Sequence, residues 1–195
     1  MTRHPQPQPI HVRSGLAWED AEARAIARLL SAPPFAGHVA PVVTLSVDLS
    51  DVYPSTHWAV RGTPPAYDTP DKDVYLEGRN IALISKAAVL CARLGIEQLA
   101  IGTLAGNPFP DATPEFLDAI SHAMSLGLAR PFRVVAPFSA LHKEDVVRLG
   151  RSLGVPLDLT LSCMNPTPEG MPCGRCSKCR ERDDAFRMFS DSSGG

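Results

Sequence analysis

Four cysteines, Cys163, Cys173, Cys176 and Cys179, stand in Ser-Cys-(x9)-Cys-Gly-Arg-Cys-Ser-Lys-Cys. Four thiolates on one short stretch can surround a tetrahedral ion, and Cys-x2-Cys lets neighbouring ligands reach one metal from a tight turn. Gly174 supplies the backbone freedom that such a turn needs. Four protein ligands leave no coordination position for water, so the spacing predicts a structural zinc, not a catalytic one. A disulfide framework fits less well: the amino terminus does not read as a signal peptide, and the fifth cysteine, Cys91, sits alone in an apolar helical run. Iron–sulfur ligation also uses Cys-x2-Cys-x2-Cys, but the fourth cysteine here lies upstream, not downstream before a proline.

A catalytic metal has one further sequence claimant. His142-Lys143-Glu144 followed by Pro172-Cys173-Gly174-Arg175-Cys176 reproduces the H-x-E…P-C-x-x-C pattern of zinc nucleobase deaminases. In that chemistry His142 and two cysteines hold an open zinc and Glu144 shuttles protons. Cys163 and Cys179 close the shell without a histidine, and 142–144 also reads as the solvated first turn of an amphipathic helix. The chemistry is therefore expected upstream of the cysteines.

The chain that must position these residues has 195 residues and a net charge of −2, enough for a buried core and no footprint for strong nucleic-acid binding. Arg175, Lys178, Arg180 and Arg182 form a local basic cluster that reads as a solvated face. No apolar run approaches a membrane span, so a cytoplasmic protein is expected. Residues 1–9 are rich in proline and glutamine, and 189–195 are polar and glycine-ended; both are expected to be disordered.

Between them the pattern alternates. Strands are predicted at 9–13, 42–47, 98–102 and 132–135, and helices at 18–30, 81–94, 114–126 and 141–153. The 81–94 helix reads as buried on most sides and capped by Gly95; Thr113-Pro114-Glu115 opens the next. Residues 48–73, rich in Pro, Asp and Thr, read as a long functional loop. Alternating strand and helix predicts an α/β fold, a parallel sheet with helices on both faces. Such sheets bind ligands beyond the carboxyl ends of their strands. That rule selects the loop after Val47, the 102–113 loop with Gly102, Asn107, Phe109, Pro110 and Asp111, and the 137–143 loop with Lys143. Glu77-Gly78-Arg79-Asn80 opens a helix whose amides suit an anion. Each of these residues has an ordinary alternative use as a cap or turn residue.

Together the motifs resemble the 7-cyano-7-deazaguanine synthase family, adenylating ligases of the PP-loop, adenine nucleotide alpha hydrolase-like fold. The resemblance rests on Tyr75-Leu76-Glu77-Gly78-Arg79-Asn80, Ile101-Gly102, Phe109-Pro110-Asp111-x-x-Pro114-Glu115-Phe116, Lys143, Gly154-Val155-Pro156 and the cysteine tail, from about His11 to Phe186. Glu77 stands where that family has proline, Phe109 where it has tyrosine, Ala112-Thr113 where it has Cys-Arg, and Leu161 where it has tryptophan. The family's Ser-Gly-Gly-x-Asp-Ser phosphate loop has no counterpart in this sequence. Ser14-Gly15-Leu16-Ala17-Trp18-Glu19 lies between strand and helix but lacks the second glycine and the final serine.

The resemblance implies conversion of 7-carboxy-7-deazaguanine, with ATP and ammonia, to the nitrile in queuosine precursor biosynthesis. It implies a structural zinc, ATP entering with Mg2+ as substrate, small-molecule partners only, and leaves a homodimer open. Lys143 is assigned charge stabilisation. Arg79 and Asn80 are assigned the phosphate or carboxylate side, Asp111 the donor edge of the deazapurine, and Gly102 and Phe109 the binding loop. The expected organisation is a disordered 1–9, an α/β domain at 10–157 lacking the family's first strand, a zinc segment at 158–188 and a disordered 189–195. On this reading the chain alone is expected to be incomplete and inactive. The alternative is a non-catalytic, zinc-stabilised remnant or binding partner.

Overall fold

Two strand–helix patterns of like design produce two parallel strand pairs. The computed structural model describes residues 6–190. Its backbone packing divides into one unit made of residues up to Thr69 together with those from Lys143 onward, and a second unit, Pro70–His142.

In the first unit β1 (Ile10–Arg13) and β2 (Val43–Ser46) pair in parallel, Ile10 opposite Val43 and Arg13 opposite Ser46. They are joined by α1 (Glu19–Leu30), which buries Ala21 and Ala25. Gln8 donates to the Pro41 carbonyl at 2.7 Å and Pro7 accepts from the Ala40 amide. The segment expected to be disordered is thus held from Pro7 onward; residues 1–5 lie outside the described residues. β2 is covered on one face only: Thr44 and Ser46 alternate outward from the half-buried Val43 and Leu45. The long loop contains an unpredicted turn of α-helix, α2 (Trp58–Arg61), and ends in a 3-10 turn at Asp71–Val74. His57 caps α2 by accepting the Ala59 amide, and Trp58 stacks on Trp18 with centroids 5.7 Å apart. Ring packing onto α1 stabilises a segment too short to be helical by propensity.

In the second unit α3 (Arg79–Leu94) packs on β3 (Gln98–Ala100), and α4 (Pro114–Gly127) packs on β4 (Arg133–Val135), with β3 and β4 parallel. Gly95 caps α3, and Thr113 caps α4 by accepting the Phe116 amide at 3.2 Å, both as the sequence predicts. α3 corrects the expectation of burial on most sides. Ile84, Ala87, Ala88 and Cys91 face the core, while Ile81 and Val89 are about half exposed (48 % and 52 %). The run is apolar around the helix, but only one stripe is covered among the described residues. Two serines of α4 close one edge of β4: Ser121 accepts the Val134 amide at 2.9 Å, and Ser125 accepts the Phe132 amide at 3.1 Å. Side-chain hydroxyls there take the place of a further strand.

The expected single sheet is not seen among the described residues: the strands form two separate two-stranded sheets, β1–β2 and β3–β4. The chain closes with α5 (Lys143–Ser152) and α6 (Ser177–Ser190), which pack on each other in the first unit. Phe189 and Ser190, expected in the disordered tail, continue α6, and 191–195 lie outside the described residues. No helix among the described residues is long and apolar enough to cross a membrane.

Candidate metal centre and ligand-contacting residues

The cysteine spacing closes into a cluster. The Sγ atoms of Cys163, Cys173, Cys176 and Cys179 all lie within 4.8 Å of one another. Cys176 is 3.6 Å from Cys179 and 4.0 Å from Cys163, and Cys173 is 4.0 Å from Cys179. A tetrahedral zinc with Zn–S of about 2.3 Å needs sulfurs about 3.8 Å apart, a spacing close to the three shortest of these distances, so the donor set suits that ion. Gly174 sits at φ +69°, the left-handed turn between Cys173 and Cys176. Cys176 and Cys179 come from the amino-terminal turn of α6, where free amides and the helix dipole favour thiolates. The Asn165 and Cys173 amides each donate to Cys163 Sγ at 3.3 Å, and the Arg175 amide to Cys173 Sγ at 3.5 Å.

Burial pushes the Cys163 and Cys179 thiols up. At Cys173 burial acts in the same sense, but the Arg175 amide and the neighbouring sulfurs outweigh it and hold that thiol below its ordinary value. Sulfurs packed this closely ionise together only around a cation. Three of the four are buried, and the cluster contains no histidine. His142, the ligand the deaminase pattern requires, lies against Gly106 in the second unit. Cys91 is buried in α3 and takes no part in the cluster.

Lys143 opens α5 and is not a freely solvated residue. Its ammonium donates to one oxygen of Glu181 on α6, and Lys178 donates to the other. Glu181 lies two residues beyond the last cysteine, so the turn that presents the metal ligands also sets the Lys143 head group. Sequence reading missed Glu181; its i,i+3 spacing from Lys178 was the available signal.

Four of the other predicted residues meet in the second unit. Phe109 stacks on Tyr75 with centroids 5.2 Å apart. Asn80 and Asp111 bond to each other: the Asn80 amide donates to Asp111 Oδ2 at 3.0 Å, and Asn80 Nδ2 to Oδ1 at 3.2 Å. Gly78, which precedes α3, has no side chain, so Asp111 serves as the cap of that helix from a distant loop. Arg79 stands beside the pair, its Nε buried without a hydrogen-bond partner among the described residues. Gly102 follows β3 and faces open space. Lys143 belongs to the other unit.

Burial pushes the Asp111 carboxyl up, against the pull of the Asn80 hydrogen bonds and the Arg79 charge. A folded-state value above the unfolded one stabilises the fold fully below pH 3.8, and that stabilisation is lost as pH rises through the raised value. Asp111→Asn should therefore flatten the dependence of urea-unfolding midpoints on pH in the interval just above 3.8. An unaltered profile would show that burial does not govern this carboxyl.

The Ser14-Gly15 turn resolves differently from a phosphate loop. Glu19, 1 % exposed at the start of α1, accepts the Ser14 amide at 2.6 Å and its hydroxyl at 2.9 Å on one oxygen, and the Gly15 amide at 3.1 Å on the other. A carboxylate already fills this cradle of amides. Gly15 has φ +83°, and a Cβ there would stand 2.6 Å from Asp48 Oδ1, so a side chain at this position would be strained.

A family model described as Queuosine biosynthesis protein QueC matches residues 59–190. The chain is similar to a 7-cyano-7-deazaguanine synthase of Methanopyrus kandleri, 37 % identical over 123 residues that cover 57 % of this chain and 54 % of the relative. A synthase of the same name from Anaeromyxobacter dehalogenans is 36 % identical over 177 residues, 86 % of this chain and 74 % of its own. One from Frankia casuarinae is 32 % identical over 186 residues, 90 % and 78 %. The chain thus spans about half the length of the first of these relatives and about three quarters of the other two.

Proposed function

The chain belongs to the QueC family of queuosine biosynthesis proteins, and from that membership we propose that it is an ATP-dependent, nitrile-forming carbon–nitrogen ligase. The substrate is 7-carboxy-7-deazaguanine and the product 7-cyano-7-deazaguanine. A carboxylate is a poor electrophile until its oxygen becomes part of a good leaving group. Adenylation by Mg2+-bound ATP supplies that group, ammonia displaces AMP to give the amide, and a second adenylation permits loss of the amide oxygen as the nitrile forms. Protein groups then act by orientation and by stabilising developing negative charge. Lys143 supplies the positive charge, oriented by Glu181. Arg79 faces the anionic side, and the Asn80–Asp111 pair and the Tyr75–Phe109 stack shape the deazapurine side. The four cysteines hold a structural zinc.

The observation that supports this reading is the extent of the family match: residues 59–190 include every residue to which a role is proposed here and all four cysteines. The test is incubation of the purified chain with ATP, ammonium and 7-carboxy-7-deazaguanine, with nitrile followed by mass spectrometry. Lys143→Ala should lower turnover by about 100-fold or more, the loss typical of one charge-stabilising donor, while bound zinc stays unchanged and Glu144→Ala has a smaller effect. Deamination of cytosine or adenine nucleosides, lost in Glu144→Ala, would overturn the ligase reading. A non-catalytic, metal-stabilised binding protein is the second reading, favoured by the Glu19 carboxylate that occupies the Ser14-Gly15 amides. Saturable deazapurine binding without nitrile formation would establish it.

A further inference from the structure

The basic cluster around the metal turn divides into residues that are used and one that is not. Lys178 is bonded to Glu181. Arg180 donates to the Thr69 carbonyl at 3.5 Å and lies over the Tyr67 ring. Arg182 donates to Thr160 Oγ1 at 2.7 Å and the Leu157 carbonyl at 2.6 Å, and lies over the Phe186 ring. Arg180 and Arg182 tie α6 to the rest of the first unit. The Arg175 guanidinium has no such contact with any described residue, and it lines a cavity of about 280 Å³ with Gly62, Thr63, Pro64 and Asn165.

We propose that this cavity is a binding site for the phosphate or carboxylate group of a small molecule. Its polar side chains are a guanidinium, a hydroxyl and a carboxamide, and no acidic residue lines it. The Thr63 and Asn165 side chains, like that of Arg175, make no hydrogen bond to another described residue, so all three have donors to offer. A guanidinium presents its donors as a planar fork that matches two oxygens of one anion, the geometry of carboxylate and phosphate recognition. The volume falls near the lower end of small-molecule pockets, roughly 300–1,000 Å³, leaving space beyond the anionic group for the body that carries it.

The walls are fixed before any ligand arrives. Ala66 and Cys176 form an antiparallel bridge that joins the 62–66 segment to the metal turn. The Asn165 amide is held by Cys163 Sγ, and the Arg175 amide by Cys173 Sγ. Three sides of the cavity are thus anchored to the four-sulfur cluster, which lowers the ordering cost of binding. The site uses none of the residues assigned to the ligase reaction and stands whether or not that reaction occurs.

The test uses the full, metal-loaded chain titrated with AMP, inorganic phosphate and acetate, read by the NMR resonances of the Arg175 side chain and of the Thr63 and Asn165 amides. Saturable shifts at these positions are expected, strongest for AMP if the site takes phosphate and for acetate if it takes carboxylate. Arg175→Ala should weaken binding by about tenfold or more, the scale of a lost charge-assisted pair, while Lys72→Ala, which removes an exposed cation elsewhere, should not. Zinc content is measured alongside, and Thr63→Val provides a second lesion away from the metal turn that should also weaken binding. No saturable shift with any probe, or binding unaltered in both Arg175→Ala and Thr63→Val, overturns the proposal.

Discussion

Cys163→Ser is expected to reduce bound zinc from about one ion per chain to a trace after dialysis against a weak chelator, and to loosen the segment from residue 163 to α6. Cys163 is the upstream member of the cluster: its sulfur is 4.0 Å from that of Cys176 and accepts two backbone amides. Structural zinc in small sites contributes about 10–16 kcal/mol of apparent binding energy. Loss of one thiolate removes a large share of it and opens the ion to water. Cys91→Ser is the matched control, since that buried thiol lies in α3 and outside the cluster. Metal analysis and proteolytic cleavage near the carboxyl end provide the readouts. Equal metal loss in both variants would refute the ligand assignment, and iron with visible charge-transfer absorption in the parent would assign an iron–sulfur centre.

The second large effect is expected from Glu19→Ala. The substitution leaves two amides and one hydroxyl of the Ser14-Gly15 turn without their acceptor in a place where water has little access. A buried donor left unsatisfied costs about 1–3 kcal/mol, and a combined loss of about 3–5 kcal/mol in a chain of this size lowers the melting temperature by about 6–20 °C. Glu19→Gln should cost less, because one oxygen still accepts while its amide nitrogen confronts a donor. Calorimetry of the zinc-loaded protein measures both. A loss in Glu19→Ala no larger than that of an exposed substitution such as Glu115→Ala would show that the turn is not held by this carboxylate.

What could be read from the sequence was mostly what is local along the chain. The four cysteines lie close enough together that spacing alone dictates their convergence, and Thr113-Pro114 and Gly95 mark helix ends through their own backbone chemistry. The pairings that shape the site are of another kind. Asn80 and Asp111 are 31 residues apart, and Lys143 and Glu181 are 38 apart. No periodicity announces such contacts, because they depend on which loops the fold brings together. α2 escaped notice because its stability comes from ring stacking with Trp18, not from its own four residues. Ile81 and Val89 misled in the other direction: hydropathy records that a residue is apolar, not which face of a helix finds a neighbour.

The first unit is discontinuous in the chain, built from residues up to Thr69 and from Lys143 onward, whereas Pro70–His142 is continuous. During synthesis from the amino end, β1, α1 and β2 leave the ribosome long before α5 and α6, the partners that complete their unit. The intervening segment is a continuous compact unit and can settle first. The cysteine turn is made later than either, and the Ala66–Cys176 bridge joins it to chain synthesised 110 positions earlier. A zinc ion held by the four cysteines, as proposed above, would couple closure of the first unit to the supply of that ion. Under zinc shortage the species that accumulates would be one with a settled middle and an open amino-terminal strand pair, the form that chaperones and proteases would meet.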